Sequence, residues 1–546
     1  MKTKKLIKEK RLHQCICILL GGMLAITSCK GTNDKESVNE TTSAVQVTTT
    51  TNESSGIPES TAMISAAETT ESSSSGGEAV LGITQEPAIF DPHKALAAGD
   101  REILFNVYEG LLKCTPNGDF VPALSTGFEI SDDALTYQFT LRDGVSFHNG
   151  DPVTPEDVVY SLKRAAGLID ANILVKNFNN ISDVSVDENG HIDVKLKTAD
   201  VGMAAFFTVA VIPADADDDL QTNPVGTGPF QWVSYTVGQS VVLEKNENYW
   251  QSGLPYLDKV TFKITAGEDA AFLELQSGSI DIFPYLSASK AEELKKMGFN
   301  IVEGSSNMTH IFALNNNAEY FNDPKIREAV NYAVDKDTIM AQLSSEKSPK
   351  LTSAMSPLMG EYYNADLEGT ISFDPEKAKE LLAEAGYPDG FSTTVTVASS
   401  YIIHVNTAVL LAEQLKAVGI DLQIVPVDWN TWLADVHENR DFASTVIALT
   451  PEFHPASVMQ YYASDYNRNF INYTNLQYDK DYKAALEETD RSTQIELYHN
   501  LQTYLAEDFA SVFIQDPVNK VAVMEDLEGY YVYPIYVQDL STVRFK

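Results

Sequence analysis

The Cys29 thiol is the first group in this 546-residue chain with a chemistry to offer. It follows Leu24-Ala25-Ile26-Thr27-Ser28, where small residues run up to the cysteine as a signal peptidase requires. Ahead of it stand a basic start (Lys2, Lys4, Lys5, Lys8, Lys10, Arg11) and an apolar stretch from Cys15 to Ile26. That stretch is short and glycine-interrupted, so residues 1–28 read as an export signal and not as a permanent span. The order Ile-Thr-Ser-Cys resembles the bacterial lipobox, whose cysteine is lipidated and becomes the mature N-terminus. An ordinary signal with an incidental cysteine is the plainer alternative.

Elsewhere, the residue types that drive catalysis do not assemble into a motif. Gly-x-Ser-x-Gly, a Walker-type loop and His-Glu-x-x-His are all missing, and the nine histidines have no metal-ligand spacing. His404 and His454 could meet a ligand, although a lone histidine more often packs or faces solvent. Gly226-Thr227-Gly228-Pro229 lacks the third glycine and the lysine of a phosphate loop and reads as a tight turn. Binding is therefore expected and enzyme activity is not, and no cofactor or metal is expected.

The segments around these residues divide the chain. Ser, Thr, Asn, Glu and Gly dominate residues 30–77, which cannot bury enough surface to offset their ordering entropy. A coil of that length spans on the order of 35–40 Å, enough to float a domain off a membrane. The body of about 470 residues exceeds one ordinary core, so two or three lobes are expected. With Cys15 and Cys17 removed and Cys29 lipidated, Cys114 has no partner, and the exported fold must stand without disulfides. The formal net charge of -38 argues against nucleic acid and against lying flat on anionic lipid.

Local signals place the elements. Thr154 caps a helix that Pro155 opens and Gly167 closes; Asp323-Pro324 and Asp374-Pro375 open two more, the second ending at Gly386. A fourth is predicted from Val405 to Ala417, stopping at Gly419. Leu135, Tyr137, Phe139 and Leu141 alternate as a strand, and Val184 and Val186 pair with Ile192, Val194 and Leu196 across Asn189-Gly190. VVLEK, VTFKI and IDLQIVPV add further strands, so the chain is mixed α/β.

Residues 120–164, FVPALSTGFEISDDALTYQFTLRDGVSFHNGDPVTPEDVVYSLKR, carry a more specific signal. They resemble the signature region of extracellular solute-binding protein family 5, the oligopeptide- and dipeptide-binding proteins of ABC importers. Similar blocks follow in family order, among them ITQEPAIFDPH (83–93), VGTGPFQWVSY (225–235), FNDPKIREAVNYAVDKDTI (321–339) and LKAVGIDLQIVPVDWNTWL (415–433). The resemblance covers essentially everything after the linker.

It implies an α/β, three-lobed, periplasmic-binding-protein-like clamp with an extra inserted lobe. Lobe I would hold 79–112, 210–306 and 519–546, lobe II 113–209 and lobe III 307–518, after the linker at 29–78. Two crossings, near Met308–Asn315 and Gln515–Val521, would form the hinge, with the ligand buried between lobes I and III. Leu96, Ala97 and Ala98 match a loop beside the ligand backbone, and Trp429 matches a cleft tryptophan, with core packing as its alternative. His404 lies near a cleft position, and Gln515 and Asp516 near the returning hinge.

Peptide-binding relatives carry Trp-x-x-Asp for the ligand's amine, but this chain has Ala448 and Pro451 there. Glu452 supplies the carboxylate if the loop shifts, or is a solvated loop acid. The implied role is a monomeric, lipid-anchored binder of short peptides on the outer face of the cytoplasmic membrane, serving ABC permease subunits. The alternatives are a nickel chelate, an oligosaccharide or another small solute, or a peptide-pheromone receptor.

Overall fold

The computed structural model describes residues 76–546, except 96, 215, 217–219, 451 and 452. The export signal, Cys29 and nearly all of the linker lie outside the described residues, as do Leu96 and Glu452. Two large sheets and one smaller sheet organise the rest.

The first sheet has seven strands, in the order Asn300–Ser305, Val518–Val523, Ile282–Phe283, Glu78–Ile83, Lys259–Ile264, Ser240–Lys245 and Phe230–Thr236. Glu78–Ile83 runs parallel to both its neighbours, and the remaining pairings are antiparallel. Ala79, Leu81, Val260 and Phe262 feed one core. Phe283 and Ala522 meet the helices Glu268–Gln276 and Ala288–Lys296 in another.

The second sheet has five strands, in the order Ile420–Val427, Phe391–Ala398, Ser444–Leu449, Thr309–Leu314 and Ser511–Gln515. Every residue of Thr309–Leu314 is buried, because both faces of this sheet are covered. Phe312 and Leu314 join a core with Ile326, Leu382 and Leu411 of three helices. Ile311 and Ala313 join the opposite core with Tyr478, Tyr498 and Leu501. Each fully buried Phe or Leu of this kind stabilises by about 1.5–3 kcal/mol.

The third sheet is antiparallel, ordered Ser125–Ile130, Thr136–Leu141, Ile192–Leu196 and Ile181–Val186. Val184 faces Val194 and Val186 faces Ile192, the register expected across Asn189-Gly190. Pro155–Ala165 packs on it behind a full capping box between Thr154 and Asp157. The helix expected from Val405 begins three residues earlier, spanning Ile402–Lys416. Its start is set by the end of the preceding strand, and Tyr401 at the N-cap makes no side-chain cap.

The Gly226–Pro229 segment is not the tight turn expected. It runs against the chain at Asn106-Val107, with Gly228 N donating to Val107 O at 2.9 Å. A Cβ on Gly226 would sit 2.0 Å from Val107 O, so glycine is required by close backbone approach. Among the described residues no helix is long and apolar enough to cross a membrane.

Candidate functional site

The chain passes between the two large sheets twice. Ser306–Met308 joins Asn300–Ser305 to Thr309–Leu314, and Asp516-Pro517 joins Ser511–Gln515 to Val518–Val523. The crossings are thus shorter than the ranges expected, because most of Met308–Asn315 and Gln515–Val521 is strand.

Asp516 ties the crossings together. Its Oδ2 accepts from Ser305 Oγ (2.5 Å) and Ser356 Oγ (2.6 Å), and its Oδ1 accepts from the backbone N–H groups of Met308 (3.0 Å) and Ser306 (3.3 Å). Burial pushes its carboxyl up from the ordinary range against the pull of these four bonds. Asp516 was expected among the ligand contacts, but its oxygens are occupied and it is fully buried. It is a hinge brace, because all four donors lie in the crossings or in the segment packed on them.

Ligand walls in open α/β sheets are built where parallel strands end, and this geometry recurs on both sides of the hinge. Phe391–Ala398 and Ile420–Val427 run parallel and end level, Ala398 opposite Val427. The chain beyond the first delivers Tyr401, and beyond the second Trp429. Asp428 fixes the Trp429 turn by accepting from the N–H groups of Asn430 (3.0 Å) and Thr431 (3.1 Å). The Trp429 indole is half-buried, stacks on Trp432 at 5.1 Å and meets the Tyr401 ring edge-on at 5.3 Å.

His404 extends this wall. Its ring lies 5.3 Å from Tyr401 and 5.3 Å from His310, whose Nδ1 stands 3.5 Å from Gln515 Nε2. Burial pushes His404 down to about 4 and His310 well below the usual imidazole range, so both are neutral at pH 7. His404 Nδ1, His310 Nε2, Gln515 Oε1 and both polar atoms of the Asn307 side chain have no hydrogen-bond partner among the described residues. Five buried polar atoms without partners are costly unless something else bonds them.

The other wall comes from the seven-stranded sheet. Glu78–Ile83 and Ile282–Phe283 are one of its two parallel pairs, and Tyr285 follows the end of the second strand. The Tyr285 hydroxyl donates to Glu102 Oε1 at 2.6 Å, from the helix Ala98–Leu104. Gln538 Nε2 donates to the same oxygen at 3.3 Å. The Tyr536 ring lies 6.2 Å from Tyr285. Burial raises the Tyr536 hydroxyl, and the Tyr401 hydroxyl and the Glu102 carboxylate raise it further.

The expected residues divide accordingly. Trp429, His404 and Gln515 are linked through Tyr401 and His310 in one chain of contacts, with His404 and Gln515 buried. Ala97 is the exposed N-cap and Ala98 the first residue of the helix that carries Glu102. Tyr401, Tyr285, Tyr536 and Glu102 were not singled out from sequence. The available signal was position alone, since Tyr401 and Tyr285 lie three and two residues past strand ends.

His454 lies elsewhere, pairing with Asp200 Oδ1 at 3.1 Å and stacking on Phe206 at 5.7 Å. It docks the loop after Ser444–Leu449 onto the unit of the four-stranded sheet. An open concavity of about 730 Å³ lined by Asn315, Arg440 and Asn472 lies at the opposite edge of the five-stranded sheet, away from the crossings.

Residues 119–470 match the family model of bacterial extracellular solute-binding proteins, family 5 Middle. The oligopeptide-binding protein AppA of Bacillus subtilis (strain 168) is 28% identical over 494 residues, covering 84% of this chain and 90% of AppA. The glutathione-binding protein GsiB of Pectobacterium atrosepticum is 27% identical, covering 84% of this chain and 92% of its own. Among solved structures, the ABC transporter substrate-binding protein CtaP of Listeria monocytogenes aligns with a TM-score of 0.78 at 26% identity, covering 86% of this chain and 99% of CtaP. AppA in complex with a nonapeptide aligns with a TM-score of 0.68 at 25% identity, covering 87% of this chain and 100% of AppA. With its two-crossing hinge and facing strand-end walls, this chain belongs to the bacterial extracellular solute-binding proteins of family 5, the substrate-binding components of transport systems.

Proposed function

We propose that this protein captures short peptides between lobe I (79–112, 210–306, 519–546) and lobe III (307–518), with lobe II (113–209) as an insertion. It then delivers them to ABC permease subunits as a monomer tethered through lipidated Cys29 on the outer face of the cytoplasmic membrane. The observation that carries this reading is the pair of aromatic walls meeting at a braced hinge. The oligopeptide-binding and peptide-complexed relatives support the choice of cargo.

The chemistry suits a peptide. The Trp429 and Tyr401 rings accept varied side chains, with the buried His404, His310 and Gln515 packed behind them. Leu96, Ala97 and Ala98 contribute main-chain contacts, and Glu452 offers a carboxylate at the loop that lacks the usual aspartate. Closure about the two crossings then makes binding a population shift toward the shape a permease recognises.

The test is tryptophan fluorescence during titration with a pool of random tri- to hexapeptides. A saturable change that Trp429→Phe abolishes is expected. No response to the pool, with a saturable response to an oligosaccharide or a nickel chelate, would transfer the cleft to that cargo.

A further inference from the structure

Glu102 is a deeply buried carboxylate on the lobe I side. It is only 4% exposed, yet no Lys, Arg or His among the described residues lies within ion-pair distance of it. Its protein partners are two neutral donors, the Tyr285 hydroxyl and Gln538 Nε2, and both reach the same oxygen, Oε1. Oε2 makes no hydrogen bond to the described residues, and it is not among the buried polar atoms cut off from the surface. Of the other deeply buried acids on this side, Asp539 has Lys113 at 3.1 Å and Asp91 has Arg164 bidentate. Asp100 and Glu109 also have neutral donors alone, but Asp100 is held by backbone N–H groups and Glu109 uses both its oxygens.

Around Glu102 the rings stay open. Tyr285, whose hydroxyl meets it, is 36% exposed, and Tyr536, with its ring 6.2 Å from Tyr285, is 37% exposed. An isolated buried carboxylate costs several kcal/mol unless a cation meets it. Aromatic faces beside that carboxylate add attraction for a cation and little for an anion.

We propose that Glu102, beside Tyr285 and Tyr536, is the subsite that takes the ammonium group of the ligand. The assignment rests on the peptide reading above and deepens it. It moves the amine contact from lobe III, where Ala448 and Pro451 replace the usual pair, to the helix Ala98–Leu104 of lobe I. Burial raises the Glu102 carboxyl against the pull of the Tyr285 and Gln538 hydrogen bonds.

The test titrates the full chain with a pool of random tri- to hexapeptides and with the same pool N-acetylated. Glu102→Gln keeps the acceptor oxygen that Tyr285 and Gln538 use, so the fold should tolerate it. The wild type should bind the free-amine pool at least tenfold tighter. Glu102→Gln should close that gap by weakening the free-amine pool alone, leaving the acetylated pool within twofold. Should Glu102→Gln melt without cooperativity, Glu102→Asp carries the test, with at least a threefold loss confined to free amines. Equal effects on both pools, no effect on either, or a gap closed by Glu452→Gln alone would overturn the Glu102 assignment while leaving peptide capture intact. Failure of the wild type to bind either pool would end both.

Discussion

At Asp516 one carboxylate satisfies two backbone N–H groups and two hydroxyls drawn from both sides of the hinge. An amide of the same shape presents only one acceptor oxygen, so Asp516→Asn leaves buried donors unmatched. A stability loss of about 1–3 kcal/mol is expected, read from denaturant midpoints. The buried pair His310 and His404 has a different signature. Burial holds His404 at about 4 and His310 below its usual range, so each contributes fully above about pH 6.5. That contribution is lost as the pH falls from there towards 4, where the unfolded state binds more protons. Thermal melts of His404→Gln should therefore show a shallower fall over pH 6.5–4 than the wild type. Matching slopes would show that His404 does not titrate between the folded and unfolded states. Trp429 was legible as a candidate from its family block, whereas Glu102 was not. A glutamate on a short helix reads as a solvated acid until the chain at 285 and 536–538 closes over it.

The helices were the most legible elements, because capping chemistry is local. Thr154, Asp323 and Asp374 each accept from an N–H in the first turn of the helix they open. Thr154→Ala should cost about 1 kcal/mol, measured as a shifted unfolding midpoint. Contacts set by distant chain were not legible. Gly226 and Gly228 resemble turn glycines by composition, but their need for glycine comes from the Asn106-Val107 backbone. The walls share that limitation. Strands can be recognised one at a time from alternation and apolar runs, but which strand ends share an edge depends on sheet order. Phe391–Ala398 sits between Ile420–Val427 and Ser444–Leu449, and that order brings Tyr401 beside Trp429.

Across the whole molecule, two large sheets are joined by two short crossings, and the His454–Asp200 pair docks the loop after Ser444–Leu449 on the four-stranded unit, which suits the clamp proposed above. The acidic exterior and the long polar linker suit a domain that works clear of the membrane surface. One acyl chain alone would hold it only marginally, so the tether reading needs the multiple chains usual in bacterial lipoproteins. Cys29→Ser should release a folded, ligand-competent protein into the medium and impair uptake, and a variant that stays cell-bound would contradict the anchor. The central claim is that the cleft carries peptides. Mass spectrometry of small molecules released by denaturing the protein as purified from its own cells tests it most directly. Short peptides with free amino termini are predicted, and a sugar or metal chelate with no peptide would contradict the account.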